Sequence, residues 1–202
     1  METIRFEAIE PSLRTGDLIL FQGDSRRSRI VETISRSKFS HVGMVIRPDG
    51  KPPLLWHTDP RPVTTDLADA ESHSGAQLND LAAALRRMTS PEYGDTPCLR
   101  QLLVTRTPAL DDAARRAIAA VDEKPFPSPL RVFRDWFLGK LHFATPGRRM
   151  DCAEIVAITY QRMGLLPPAP PANAYAPGDF SAEHENVRWL QGASLGPQRE
   201  LV

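Results

Sequence analysis

The chain has 202 residues, of which 41% are hydrophobic, and its 25 basic residues balance 25 acidic ones. This length and apolar content suit one globular domain over residues 1–202 and exclude a coiled coil, a collagen-like chain or a disordered tail. Zero formal net charge gives no bulk electrostatic attraction to DNA or RNA, and no window approaches the roughly 18–20 apolar residues of a membrane span.

The opening stretch, METIRFEAIEPSLRTGD, mixes charges with isolated apolar positions. It has no continuous apolar core of a secretory signal, so a reducing cytoplasm is the expectation. Asp17-Leu-Ile-Leu-Phe21, preceded by Thr15-Gly16, reads as a buried strand. Residues 25–37 set Ile30, Val31 and Ile34 among four arginines, an amphipathic helix with a basic outer face. His41-Val-Gly-Met-Val-Ile46 is β-rich and enters the turn Arg47-Pro-Asp-Gly50, with Leu54-Leu-Trp-His57 as its return strand. A further strand is expected over residues 62–67. A helix is expected over 77–88, with Leu78, Leu81, Ala82 and Leu85 on one face, and another strand over 99–105. Leu110, Ala114, Ala117, Ile118 and Val121 make a second helical stripe. Leu130, Phe133, Phe137 and Leu141 make a third, flanked by Arg131, Arg134 and Lys140 and read as facing the core rather than a membrane. The last long helix runs from Cys152 to Met163 and is stopped by Gly164 and the prolines beyond it. Many of the 19 prolines fall in loop segments, above all residues 167–177. Helices set apart from a largely antiparallel group of strands indicate an α+β architecture.

Cys98 and Cys152 are too few for a disulfide framework, so a free thiol is open to chemistry. Within Arg149-Met-Asp-Cys-Ala-Glu-Ile-Val, Asp151 reads as an N-cap and Glu154 as its capping-box partner. Cys152 then occupies the first helical turn, where the helix dipole favours a thiolate and the Cys152 amide is available to an oxyanion. The carboxylates of Asp151 and Glu154 oppose that effect. The plainer reading is a structural cysteine on a helix whose apolar face is Ile155, Val156, Thr159 and Met163.

His41, at the head of a β-rich run, has no packing reason to be there, and a cysteine nucleophile needs such a base. A hairpin centred on Asp49-Gly50 makes cross-strand partners sum to about 99, setting His57 beside His41 and Asp59 on the same face. His57, with Asp59 as rival, is therefore the candidate to orient the base. The same three residues offer a zinc site, a weaker reading because no third close ligand pattern accompanies them. Cys98 reads as a small buried hydrophobe.

Gly16-Asp-Leu-Ile-Leu-Phe21, Ser40-His-Val-Gly-Met-Val-Ile46, Cys152-Ala-Glu-Ile-Val and Gly164-Leu-Leu-Pro167 together resemble the permuted NlpC/P60 family of papain-like enzymes. These are the YiiX/YaeF-like proteins, related to the lecithin:retinol acyltransferase group. The resemblance implies a circularly permuted papain-like fold in which histidine precedes cysteine. It also implies Cys152 as nucleophile, His41 as base and His57 as polar third member, where the family itself varies. Ala153 stands where many relatives have serine.

Residues and resemblance together lead to a cysteine hydrolase whose Cys152 thiol, partly exposed as a thiolate, attacks a peptide amide, for instance in a cell-wall stem peptide. A lipid acyl group is the alternative substrate. A non-catalytic module holding a peptide or lipid in a groove between His41 and Trp56 is the alternative of another class. No metal or organic cofactor, nucleic acid or membrane span is expected.

Overall fold

The computed structural model describes residues 1–23, 37–67, 70–121, 124–145, 147, 149–184 and 187–202. Strands β1 (Glu2–Ile4), β2 (Leu18–Gln22), β3 (His41–Ile46), β4 (Leu54–Asp59), β5 (Gly75–Asp80), β6 (Thr96–Arg100) and β9 (Arg199–Leu201) form one sheet. Their order is β1-β9-β6-β2-β3-β4-β5. Every neighbouring pair is antiparallel except β1 with β9. Strands β7 (Leu102–Leu103) and β8 (Ser194–Leu195) make a small second sheet. The helices are α1 (Phe6–Ile9), α2 (Leu81–Met88), α3 (Pro108–Ala119), α4 (Pro129–Lys140) and α5 (Cys152–Arg162).

Alternation along the central strands divides the core in two, because successive side chains take opposite faces. Leu18, Leu20, Val42, Met44 and Trp56 pack with α3 and α5 through Ala114, Ile155 and Val156. Ile19, Phe21, Val45, Leu55 and Leu99 pack with α2 through Leu81, Ala84, Leu85 and Met88. Helix α5 is tied to the sheet by the Tyr160 hydroxyl, which donates to the Gly16 carbonyl at 2.6 Å. Gly16 has φ +93°, and a Cβ there would lie 2.7 Å from Leu102, so only glycine suits this contact.

The strand expected over 99–105 is broken in two. The buried Asp17 carboxylate accepts from the amides of Arg14 and Leu102 and from Arg106, drawing the chain out of the ladder after Arg100. Residues 62–67 form a loop rather than a strand, since the Asp66 side chain accepts the Leu78 amide and the Leu67 amide donates to the Leu78 carbonyl. The helix expected from Gln77 begins at Leu81, and residues 75–80 are strand β5. Asp80 is the cap, accepting from the Ala83 amide at 2.8 Å. The helix expected over 25–37 lies outside the described residues, apart from Ser37.

The third stripe is helical as expected, but it does not face the core. Leu130, Phe133, Phe137 and Leu141 are exposed, and only the opposite face of α4 packs. There Gly139 lies so close to residues 173 and 174 that a Cβ would meet the Ala174 amide nitrogen at 2.5 Å. The proline-rich segment after α5 supplies that contact, with Gln161 of α5 donating to the Pro167 and Pro170 carbonyls. Among the described residues no helix is long and apolar enough to cross a membrane.

Candidate active site

Strands β3 and β4 pair from Ile46↔Leu54 to Met44↔Trp56, and no paired residues follow toward His41 and Asp59. At that open end the N-terminus of α5 meets the sheet. The Thr58 hydroxyl donates to the Met150 carbonyl at 3.4 Å, and the Val42 amide donates to the Cys152 sulfur. His41 immediately precedes Val42 and His57 immediately precedes Thr58 in the chain, and strand alternation turns both rings to the face that carries Phe21 and Leu55.

The observed register sums to 100, one more than the hairpin arithmetic gives, yet the contact expected from it forms. His41 Nε2 lies 3.1 Å from His57 Nδ1, with the rings edge to face at 5.2 Å between centroids. Gly43 makes room for this, since a Cβ there would lie 3.2 Å from the His57 Cβ and 2.6 Å from Leu55. The His41 ring rests against Phe21. On its far side His57 Nε2 lies 2.8 Å from Asn79 Oδ1. The Asn79 amide is itself oriented by donating to the Thr65 carbonyl at 3.1 Å, which turns Oδ1 toward the ring.

These contacts order the protons. Asn79 Oδ1 only accepts, so His57 Nε2 carries the hydrogen and its Nδ1 is the acceptor when the ring is neutral. His41 Nε2–H then donates to His57 Nδ1, leaving the lone pair of His41 Nδ1 for another proton. Both rings are held neutral. Burial lowers His41 well below the ordinary 6.5, reinforced by His57 and Arg61, and burial lowers His57 against the opposing pull of Asp59 and Asn79.

Asp151 caps α5, its Oδ1 accepting from the Ala153 and Glu154 amides at 2.9 Å each. The cysteine differs from the sequence expectation. Cys152 is 6% exposed, and burial, then the Asp151 charge, raise its thiol far above the ordinary 9.0. A resting thiolate is therefore not favoured, because desolvation outweighs the helix terminus and the Val42 amide. Cys98 is buried as expected and is pushed up to about 11.

Asp59 shares the histidines' face but is engaged elsewhere, accepting from the Arg61 amide at 2.8 Å. The ligand-type atoms of His41, His57 and Asp59 nonetheless all lie within 4.8 Å of one another. Trp56 is fully buried in the core facing α5, so the groove expected between His41 and Trp56 is absent from the described structure. Asn79 was not singled out in the sequence. The alternation of Ala76 and Leu78 with Gln77 and Asn79, ahead of a capping aspartate, is the signal that marks a strand here.

No family model and no curated protein matches the chain. Among solved structures it is similar to the metalloprotein yiiX from Escherichia coli O157:H7, DUF1105, with a TM-score of 0.50 and 18% identity. The match covers 74% of this chain and 66% of that one. At this identity the likeness concerns the fold: a large, mostly antiparallel sheet packed against helices, consistent with the papain-like architecture that the resemblance implied.

Proposed function

We propose that the protein is a cysteine-dependent hydrolase that opens an amide carbonyl, a peptide amide being the first substrate class. The observation that supports this reading is the directed chain from Asn79 through His57 to His41, ending on an unprotonated Nδ1 one residue along the strand from Val42, whose backbone amide donates to the Cys152 sulfur.

His41 Nδ1 takes the thiol proton as sulfur bonds to the carbonyl carbon. The carbonyl electrons move onto oxygen, where the Cys152 amide is available as one donor because the Asp151 cap engages the next two amides instead. Collapse breaks the carbon–nitrogen bond, and His41 returns its proton to the leaving amine. Water then attacks the thioester, gives its proton to His41, and the acid departs as the thiol re-forms. A lipid ester would follow the same steps, and the exposed apolar face of α4 favours that substrate as a second choice.

The thioester is the testable species. Acid-quenching a reaction with an activated acyl ester and digesting the protein is expected to find the acyl mass on the Cys152 peptide, removable by neutral hydroxylamine. Acylation of Cys98 alone, or of neither cysteine, contradicts the proposal.

A second reading rests on the close grouping of His41, His57 and Asp59, given that the fold neighbour yiiX is a metalloprotein. The donor set suits a borderline divalent ion such as zinc, and Asn79 would then orient His57 from outside the ligand shell. Such an ion would supply Lewis acidity, and His41 would cease to be a base. Adduct formation that survives treatment with a chelator supports the thiol reading; loss on chelation with recovery on adding zinc supports the metal.

A further inference from the structure

Helix α4 exposes an apolar stripe in a protein with ample core elsewhere. Leu130 is 80% exposed, Phe137 50% and Leu141 51%, and Phe143 just beyond the helix is 62% exposed. Projected at about 100° per residue, Leu130, Phe133, Phe137 and Leu141 fall within an arc of about 80°, with Lys140 at one rim and Arg134 at the other. The buried Asp135 and Gly139 lie on the opposite side. Phe133 and Phe137 stack at 6.4 Å, forming one surface rather than scattered side chains. Trp136 leans on Phe133, and its indole N–H has no hydrogen-bond partner among the described residues.

The charges beside this stripe are one-sided. On α4 itself Arg131, Arg134 and Lys140 stand against the single acidic Asp135, in a chain whose net charge is zero. Asp135, which bridges to Arg131 and Arg134, points inward, and Lys140 lies 3.5 Å from the Asp179 carboxylate, while the side chains of Arg134 and Lys140 remain 56% and 45% exposed. An apolar arc rimmed by cations on both edges, with a tryptophan at its border, is the form of a helix lying in the headgroup region of an anionic bilayer.

We propose that α4 docks the protein on anionic lipid surfaces, with Phe133, Phe137, Leu130 and Leu141 entering the acyl boundary and Arg134 and Lys140 meeting the headgroups. The same helix turns Asp135 toward the start of α5, close enough to raise the carboxyls of Asp151 and Glu154. Docking would thus leave α4 between the lipid surface and the N-terminus of the cysteine helix, about one helix diameter apart, whatever reaction is run there.

Sedimentation with vesicles of phosphatidylcholine alone or with one-quarter phosphatidylglycerol tests this. The expected result is binding to the anionic vesicles at least tenfold tighter than to the neutral ones, weakened by 0.5 M salt and accompanied by a blue shift in tryptophan emission. Phe137→Glu, at an exposed site, should lose that binding at least tenfold, and the double variant Arg134→Gln with Lys140→Gln should lose the preference for anionic lipid. Circular dichroism and melting temperature establish that each variant is folded; if Phe137→Glu is not, Phe137→Ser takes its place. No binding by the wild-type protein overturns the proposal, as does binding indifferent to these substitutions. So does a wild-type dimer in sedimentation velocity that Phe137→Glu makes monomeric, since a second copy would then be the occupant.

Discussion

Cys152→Ala is expected to abolish turnover, and His41→Ala to lower kcat by about 10³- to 10⁴-fold, the upper part of the range for a general base. His57→Ala should cost less, about 10- to 100-fold, because it fixes the tautomer and angle of His41 without itself moving a substrate proton. Asn79→Leu removes the acceptor that places the hydrogen on His57 Nε2 and should fall in the same range, whereas Asn79→Asp keeps an acceptor there and should restore part of the rate. Asp59→Ala should do little, since Asp59 is held by Arg61. Steady-state kinetics on an activated ester checks the series, with the losses in kcat rather than KM. An Asp59 effect larger than that of His57 would show that the orienting residue has been misassigned.

Glu154→Gln is expected to stabilise the protein at alkaline pH and to change little at pH 5. Burial, then the charge of Asp151, push Glu154 up to about 8, and burial raises Asp151 to about 6. A carboxyl whose folded value exceeds its unfolded value favours the folded state while protonated. Its contribution is whole below the ordinary 4.5 and is lost as pH rises through about 8. Above that, two carboxylates in the first turn of α5 would both be ionised in a buried place. Replacing one with a neutral isostere should recover about 2 kcal/mol or more at pH 9, equivalent to about 5 °C in Tm for a chain of this size. Thermal melts of both proteins from pH 5 to pH 9 check this. Parallel curves for the two proteins would mean that Glu154 is not the group responsible.

Much of the site is legible in the sequence because local rules decide it. The turn at Asp49-Gly50 sets the hairpin, and the hairpin brings His41 to His57 even with the register one residue off. The Asp151 cap before Cys152 follows from the preference of aspartate for that position. Asn79 escaped because Leu78, Leu81 and Leu85 satisfy a helical period while the shorter alternation from Ala76 to Asn79 overlaps it. The α4 stripe has the expected helical geometry but faces outward: periodicity reports that a face is apolar, not what covers it. The acidity of Cys152 was equally out of reach. The helix terminus is visible in the sequence, whereas the loss of solvent that outweighs it depends on how α5 meets the sheet.

A neutral thiol activated by a neutral imidazole makes a demand that an ion pair does not, and comparing two pH profiles on Cys152 measures it. Acylation by an activated ester should follow His41, reaching half its maximum below pH 6.5. Alkylation by iodoacetamide, which requires the free thiolate, should still be climbing above pH 9. In His41→Ala the acylation profile should move onto the alkylation profile. Two wild-type profiles that coincide, both level near neutrality or both unchanged by His41→Ala, would contradict His41 as the base that draws the proton from Cys152.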